Sequence, residues 1–272
     1  MSHEQNLDFL DISEVLQVLF PIAYSPHFFQ IDSKDLGNEV NIRFIEVDKG
    51  IQIGCGFWSA SKKFPSILYF HGNGETVGDY SYLSRFYNEN GINLFVADYR
   101  GYGVSGGKPT VTNMISDSHK IFHRFKAILE EEGFRSSYFL MGRSLGSIPA
   151  VEIAYHYQNQ LRALIIDSGT ANNFRQLWSH LESIENDISS GNIFQNKEKI
   201  RSINIPTCII HGEIDQIIPV QEAIDLYKNS AAEEKDIFIV SNAGHNDLIV
   251  VSQDDYFNKI REFVMNNDKM LE

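Results

Sequence analysis

Tyr138-Phe139-Leu140-Met141-Gly142-Arg143-Ser144-Leu145-Gly146 is the stretch on which the fold turns. Its first four residues form a short β-rich apolar run, and a pattern of helical period begins at Leu145 and continues to Tyr157. Strand, two-glycine turn and helix in direct succession make one unit of a parallel sheet, with the serine at the crossover. Ser144 must then take a strained backbone conformation with its hydroxyl projecting outward. A Cβ at Gly142 or Gly146 would collide with the neighbouring strand or helix, which accounts for the pair of glycines. The helix that starts here also directs its N-terminus at the hydroxyl and so favours developing negative charge. Taken alone, Gly-x-Ser-x-Gly also occurs as an ordinary glycine-rich turn, so its weight depends on its surroundings.

Outward from this unit, strands are expected at 40–47, 51–59, 66–70, 93–97, 138–141, 163–166, 207–210 and 236–240. The first two pair most easily as an antiparallel hairpin about Asp48, Lys49 and Gly50. From the third strand onward, helices expected at 80–89, 112–131, 145–157, 220–229 and 254–266 alternate with strands. That rhythm builds an α/β architecture, a mostly parallel eight-stranded sheet flanked by helices. Gly91 and Gly133 fall just past two helices, where a left-handed terminator is wanted, and Pro219 opens another. Two segments stand outside the alternation and read as additions to a single domain spanning 1–272: an N-terminal extension, 1–38, and a short cap or lid insertion, 168–204. Within the first, Leu7, Leu10, Val15, Leu16, Val18 and Leu19 suit a helix over 7–20, interrupted before Pro21. Its polar face carries Asp8, Asp11 and Glu14, which suits packing on the domain better than lying on a membrane.

The whole chain bounds the function. It has 272 residues, 43% of them hydrophobic, and 23 Lys+Arg against 36 Asp+Glu give a formal charge of -13. That composition belongs to a folded globular protein, and the charge argues against nucleic acid as a partner. No apolar run is long enough to span a bilayer, and Met1 to Leu10 lacks the basic start of a secretory signal. A cytoplasmic protein is expected. Its two cysteines, Cys55 and Cys208, lie in apolar runs and read as small buried hydrophobes. The absence of Walker, dinucleotide or zinc-spacing motifs implies no cofactor and no metal. Nothing in the sequence fixes an oligomeric state.

Three further motifs follow strands. His71-Gly72-Asn73-Gly74 ends the third strand, and its small residues leave backbone N–H groups free to face a substrate oxygen. The amides of Asn73 and Leu145 would form an oxyanion hole, in which losing one donor costs about 3 kcal/mol of transition-state stabilisation. His71 itself reads better as a structural imidazole. His211-Gly212-Glu213-Ile214-Asp215 follows the seventh strand, at the sheet edge where catalytic groups gather, with Glu213 as a competing carboxylate. Gly244-His245-Asn246-Asp247 follows the last strand, completing the chain order Ser, Asp, His. An imidazole suits proton transfer near neutrality. Asp247 reads as a cap or loop hydrogen-bonding residue.

With these motifs in order, the chain resembles the α/β-hydrolase superfamily from about Val40 to Val264. Asp98-Tyr99-Arg100-Gly101-Tyr102-Gly103-Val104-Ser105-Gly106 looks like a turn frequent there, though a chain-reversing role suits it better than substrate contact. Among the branches it looks most like the small, nearly capless depalmitoylase-like serine hydrolases. That resemblance implies Ser144 as nucleophile, His245 as general base, Asp215 as the acid in preference to Asp167, and Asn73 and Leu145 as oxyanion donors. Animal members carry a lipidated cysteine-rich N-terminus. This chain has no cysteine before Cys55, so the resemblance stops short of that anchor and of lipidated protein substrates.

The expected substrate is a small-molecule acyl ester or thioester. Phe174, Leu177, Trp178, Ile184 and Phe194 of the insertion could line its pocket or simply pack on the core, with Phe174, Trp178 and Phe194 the leading pocket candidates. Alternatives are a non-catalytic binding module of the same fold, a peptidase or amidase, and a peroxidase.

Overall fold

The computed structural model describes residues 7–24, 41–172 and 194–268. Its strands are β1 (Ile42–Asp48), β2 (Ile51–Trp58), β3 (Ser66–Phe70), β4 (Asn93–Ala97), β5 (Tyr138–Arg143), β6 (Ala163–Asp167), β7 (Thr207–Gly212) and β8 (Lys235–Val240). They form one sheet in the order β1-β2-β4-β3-β5-β6-β7-β8. β2 runs antiparallel to both its neighbours, and every pair from β4 to β8 is parallel. The expected hairpin joins β1 to β2, with Gly50 at φ 73 in its turn.

Helices are α1 (Ser13–Leu19), α2 (Pro21–Tyr24), α3 (Tyr80–Glu89), α4 (Val111–Glu131), α5 (Ser147–Tyr157), α6 (Asn196–Ile200), α7 (Val220–Asn229) and α8 (Leu248–Asn267). Side chains alternate across the sheet with the two-residue period of a strand. On one face Leu68, Phe70, Phe95 and Leu140 meet Phe122 and Phe125 of α4, Ala150 and Val151 of α5 and Leu226 of α7. On the other, Ile67, Tyr69, Leu94, Val96, Phe139 and Met141 meet Tyr80 and Tyr87 of α3 and Tyr256, Phe257 and Ile260 of α8. Because both faces are covered, β3, β4 and β6 are buried at every residue and read in sequence as apolar runs, with Ser66, Asn93 and Asp167 at their ends. Cys55 and Cys208 are buried free thiols, and burial raises the pKa of each.

Two elements differ from expectation. α8 starts at Leu248, six residues before 254, and contains a break at Ser252 (φ -147, ψ 52). Its first turn is the run Leu248-Ile249-Val250-Val251, where Leu248 is buried while Val250 is 84% exposed, so no helical stripe of apolar residues marks it. The N-terminal segment is not one helix. A 3-10 turn, Asp8–Leu10, and α1 are separated by extended backbone at Ile12, and the chain re-enters helix at Pro21. Asp11 explains the break: its Oδ1 accepts from the backbone N–H of Val111 at 2.6 Å and of Thr112 at 3.3 Å, satisfying the open end of α4 from a distant part of the chain.

The segment does pack on the domain. Leu7, Leu10, Val15, Leu16, Leu19 and Phe20 are buried against Tyr99, Tyr102, Val111, Met114, Leu145, Ile148 and Phe194. Each fully buried leucine there contributes roughly 1.5–3 kcal/mol relative to exposure.

Among the described glycines, those least able to take a side chain lie at the turn after β5. A Cβ added to Gly146 would sit 2.0 Å from the Phe70 carbonyl oxygen, and one added to Gly142 would sit 2.3 Å from the Gly146 carbonyl oxygen. Backbone must move to admit either. Gly146→Ala is therefore expected to lower the urea unfolding midpoint, by about 1–3 kcal/mol of stability or more. An unchanged midpoint would contradict the close packing of this turn on β3.

Candidate active site

The order of strands reverses its direction of growth at β3, which has β4 on one side and β5 on the other. Loops leaving β3 and β5 therefore diverge to opposite faces and leave a crevice at their carboxyl ends, the usual ligand position in an open α/β sheet. Phe70 pairs with Gly142 across that edge, which brings the segment 71–75 beside Ser144. Ser144 has φ 52, a left-handed conformation costly for a residue with a Cβ, and begins a 3-10 turn leading into α5. The strained turn read from Gly-x-Ser-x-Gly is thus present. Ser147 Oγ secures it by donating to the Ser144 carbonyl at 2.7 Å.

Three side chains meet at this crevice in one hydrogen-bonded line. His245 Nε2 lies 2.9 Å from Ser144 Oγ, and His245 Nδ1 lies 2.7 Å from Asp215 Oδ2. All three are buried. Asp215 Oδ1 accepts from the backbone N–H of Ile217 and Ile218, each at 2.8 Å. Burial alone would raise the Asp215 pKa. Hydrogen bonds from His211, His245 and the Ile218 backbone outweigh it and hold the carboxyl well below the usual carboxylate range.

The competing carboxylates are engaged elsewhere. Glu213 accepts from the backbone N–H of Asn242 at 3.0 Å and braces the loop that carries His245. Asp167 accepts from Tyr256 Oη at 2.7 Å and Ser168 Oγ at 2.8 Å. Asp247 serves its loop, its Oδ1 accepting from the Gly244 N–H at 2.6 Å.

On the opposite side of Ser144 lies 71–75. His71 is fully buried, with Nδ1 2.8 Å from the Gly72 carbonyl and Nε2 3.1 Å from Asp98 Oδ1. Burial disfavours its charged form, but the bond to Asp98 and that residue's charge prevail and raise its pKa. This is a structural imidazole whose main partner is a carboxylate, not backbone alone. Asp98 Oδ1 also accepts from the Val77 N–H at 2.7 Å, fixing the end of the loop. The amide of Leu145 belongs to the first turn of the helical segment, where no acceptor exists in the helix's own ladder. The glycine-rich stretch after β4 reverses the chain: Gly101, Gly103 and Gly107 have positive φ, and Arg100 is anchored to Asp117 of α4 at 2.6 Å.

A second network, not anticipated from sequence, ties the three loops together. Arg143, immediately before Ser144, pairs through Nη1 with Glu75 and donates through Nη2 to the His245 carbonyl at 2.8 Å and to Asn246 Oδ1 at 3.1 Å. Glu75 in turn accepts from the Gly72 N–H at 2.8 Å and Tyr80 Oη at 2.6 Å. Burial works against both charges, yet the pairing lowers the Glu75 pKa and raises that of Arg143. Both residues adjoin recognisable motifs, but a variable position inside Gly-x-Ser-x-Gly gives no hint of what its side chain reaches.

Of the pocket candidates, Phe194 is buried in the same apolar cluster as Leu145 and the N-terminal segment. Phe174 and Trp178 lie outside the described residues. The cluster touches the crevice through another residue as well, because Asn73 Nδ2 donates to the Val18 carbonyl at 3.0 Å.

Comparison with known proteins agrees with this architecture. The family model described as "Serine aminopeptidase, S33" matches residues 61–184. The human alpha/beta hydrolase domain-containing protein 17B is 30% identical over 223 residues, covering 79% of this chain and 72% of the relative. The 17C protein of Xenopus tropicalis is 27% identical over 256 residues, covering 90% of this chain and 77% of the relative. In fold the chain is similar to an esterase of Pyrococcus furiosus (TM-score 0.69, 17% identity, 88% of this chain and 94% of that one). It is similar also to a monoacylglycerol lipase of Paleococcus ferrophilus (TM-score 0.62, 17% identity, 79% of this chain and 99% of that one). The sheet order, the strained serine turn and the long match to the 17B protein converge: the chain belongs to the α/β-hydrolase superfamily, in the company of the alpha/beta hydrolase domain-containing 17 proteins.

Proposed function

We propose that the chain is a serine hydrolase that cleaves carboxylic ester or thioester bonds of a small acyl substrate through an acyl-enzyme on Ser144. The observation that carries this reading is the continuous line Ser144 Oγ, His245, Asp215, with contacts of 2.9 and 2.7 Å. His245 Nε2 takes the serine proton as Oγ attacks the carbonyl, then returns it to the leaving group; water repeats the sequence to release the acid. Asp215, held ionised, keeps the Nδ1 proton and orients the ring. The amides of Asn73 and Leu145 receive the charge on the carbonyl oxygen. Leu145, next to Ser144, is buried with Phe194 and the N-terminal leucines in one apolar cluster, and the proposal places the acyl chain against that side of the crevice. Two buried free thiols suit a reducing compartment, and cytoplasmic residence is part of the proposal.

A second reading, cleavage of an amide, is favoured by the aminopeptidase description of the matching family model. Paired p-nitrophenyl esters and p-nitroanilides of the same acyl group separate the two: turnover of the ester without turnover of the anilide is expected, and appreciable anilide cleavage would favour the amide reading.

A fluorophosphonate probe is expected to label the parent and not Ser144→Ala, and the variant to lose roughly 10⁴-fold or more in ester turnover. Folded parent protein that resists the probe would instead support a non-catalytic binding module. Asp215→Asn presents the wrong tautomer and is expected to lower kcat by roughly 10⁴-fold, whereas Asp167→Asn should stay within about tenfold of the parent. Equal losses in the two would reopen the choice of acid. Arg143→Gln loosens the His245 loop relative to Ser144, so kcat should fall by roughly 10- to 100-fold while KM changes little. A pure rise in KM would assign Arg143 to substrate binding.

A further inference from the structure

On the face of the sheet covered by α4 and α5, two histidines and a carboxylate converge outside the crevice. His119 of α4 and Glu152 and His156 of α5 each present one ligand atom, and these atoms lie within 4.8 Å of one another. Both imidazoles aim at the same carboxylate oxygen: His156 Nε2 lies 2.9 Å and His119 Nε2 3.7 Å from Glu152 Oε1. We infer that His119, Glu152 and His156 form a binding site for a late first-row divalent cation, Zn²⁺ above all, with the outer coordination position open to water.

The donor set fits that class, since imidazole with one carboxylate suits Zn²⁺ and its neighbours rather than Mg²⁺ or Ca²⁺. A tetrahedral ion with bonds of about 2.0–2.1 Å separates its ligand atoms by about 3.3 Å. The two imidazole-to-carboxylate separations bracket that value, and the partly exposed rings of His119 and His156 can turn about the buried Glu152 to close the site. The surrounding contacts have the form of a metal's outer shell. Tyr157 Oη lies 2.9 Å from His119 Nδ1 and can accept its N–H, the tautomer that leaves Nε2 free to ligate. Lys199 of α6 holds the other oxygen, Glu152 Oε2, at 2.5 Å and leaves Oε1 to the two imidazoles.

The site is separate from the crevice. α5 starts behind Ser144, and nine residues of helix, at 1.5 Å each, put His156 about 14 Å further along it. A bound ion would fasten α4 to α5 and, through Lys199, to α6, so its effect is on stability and not on the reaction.

The test uses the full chain stripped of metal with a chelator and titrated with ZnCl₂ by calorimetry, beside thermal unfolding with and without the ion. The parent is expected to bind one Zn²⁺ and to unfold at a higher temperature when loaded. His119→Ala and His156→Ala should each weaken binding by roughly tenfold or more, and Tyr157→Phe by about tenfold. His123→Ala, on the same helix but outside the cluster, should bind as the parent does. A parent that takes up no Zn²⁺, or His119→Ala and His156→Ala variants that bind it unchanged, would overturn the assignment and leave a cluster of hydrogen bonds joining two helices. Neither result depends on the hydrolase proposal, which is read by ester turnover.

Discussion

Contact between the backbone after β5 and the carbonyl end of β3 governs the site. The carbonyl of Phe70 stands where any side chain at position 146 would have to be, and the carbonyl of Gly146 where one at 142 would have to be. Only with both side chains missing can the turn close so sharply that Ser144 is forced to φ 52 with its hydroxyl at the sheet edge. The same closeness places the loop 71–75 across from that hydroxyl, so the strained residue and the loop facing it are consequences of one packing contact. The energy stored in the strain is met by the buried apolar layers on either side of the sheet.

Charge fixes what packing leaves loose. The chain is strongly acidic, yet the carboxylates near the crevice are each committed: Asp215 to His245, Asp98 to His71, Asp167 to Tyr256 and Glu75 to Arg143. Arg143 spans several elements at once, joining the loop after β3 to the loop after β8 from its place at the end of β5. Breaking such a buried pair costs more than forming it contributes, because one charge is left without a partner. The three loops are thereby held to one mutual geometry before any substrate arrives.

Much of this was legible in the sequence, for reasons that differ by element. Strands covered on both faces are apolar runs, so β3 to β7 could be placed to within a residue or two; α3 and α7 were legible because their exposed and buried faces alternate cleanly. Ser144, Asp215 and His245 stood out because each follows a strand in a glycine-marked turn. Hidden features depended on partners distant in the chain. Asp11 breaks its own helix to serve α4, a hundred residues on, and no local pattern reports that. Arg143 and Glu75 are separated by sixty-eight positions, and His119 stands far from the Glu152–His156 pair, so spacing searches pass over both sets.

The docking of residues 7–24 has a consequence for biosynthesis. This stretch leaves the ribosome before its groove, which is made of Tyr99, Tyr102, Met114, Leu145, Ile148 and finally Phe194. Its leucines must wait until those residues are made before their seat is complete, and the bond from Asn73 to the Val18 carbonyl belongs to the same docking. Domains assembled from contacts so far apart in sequence close late and expose sticky surface meanwhile. Residues made well before their partners are thus among the last to settle, and chaperone dependence during synthesis should concentrate on them.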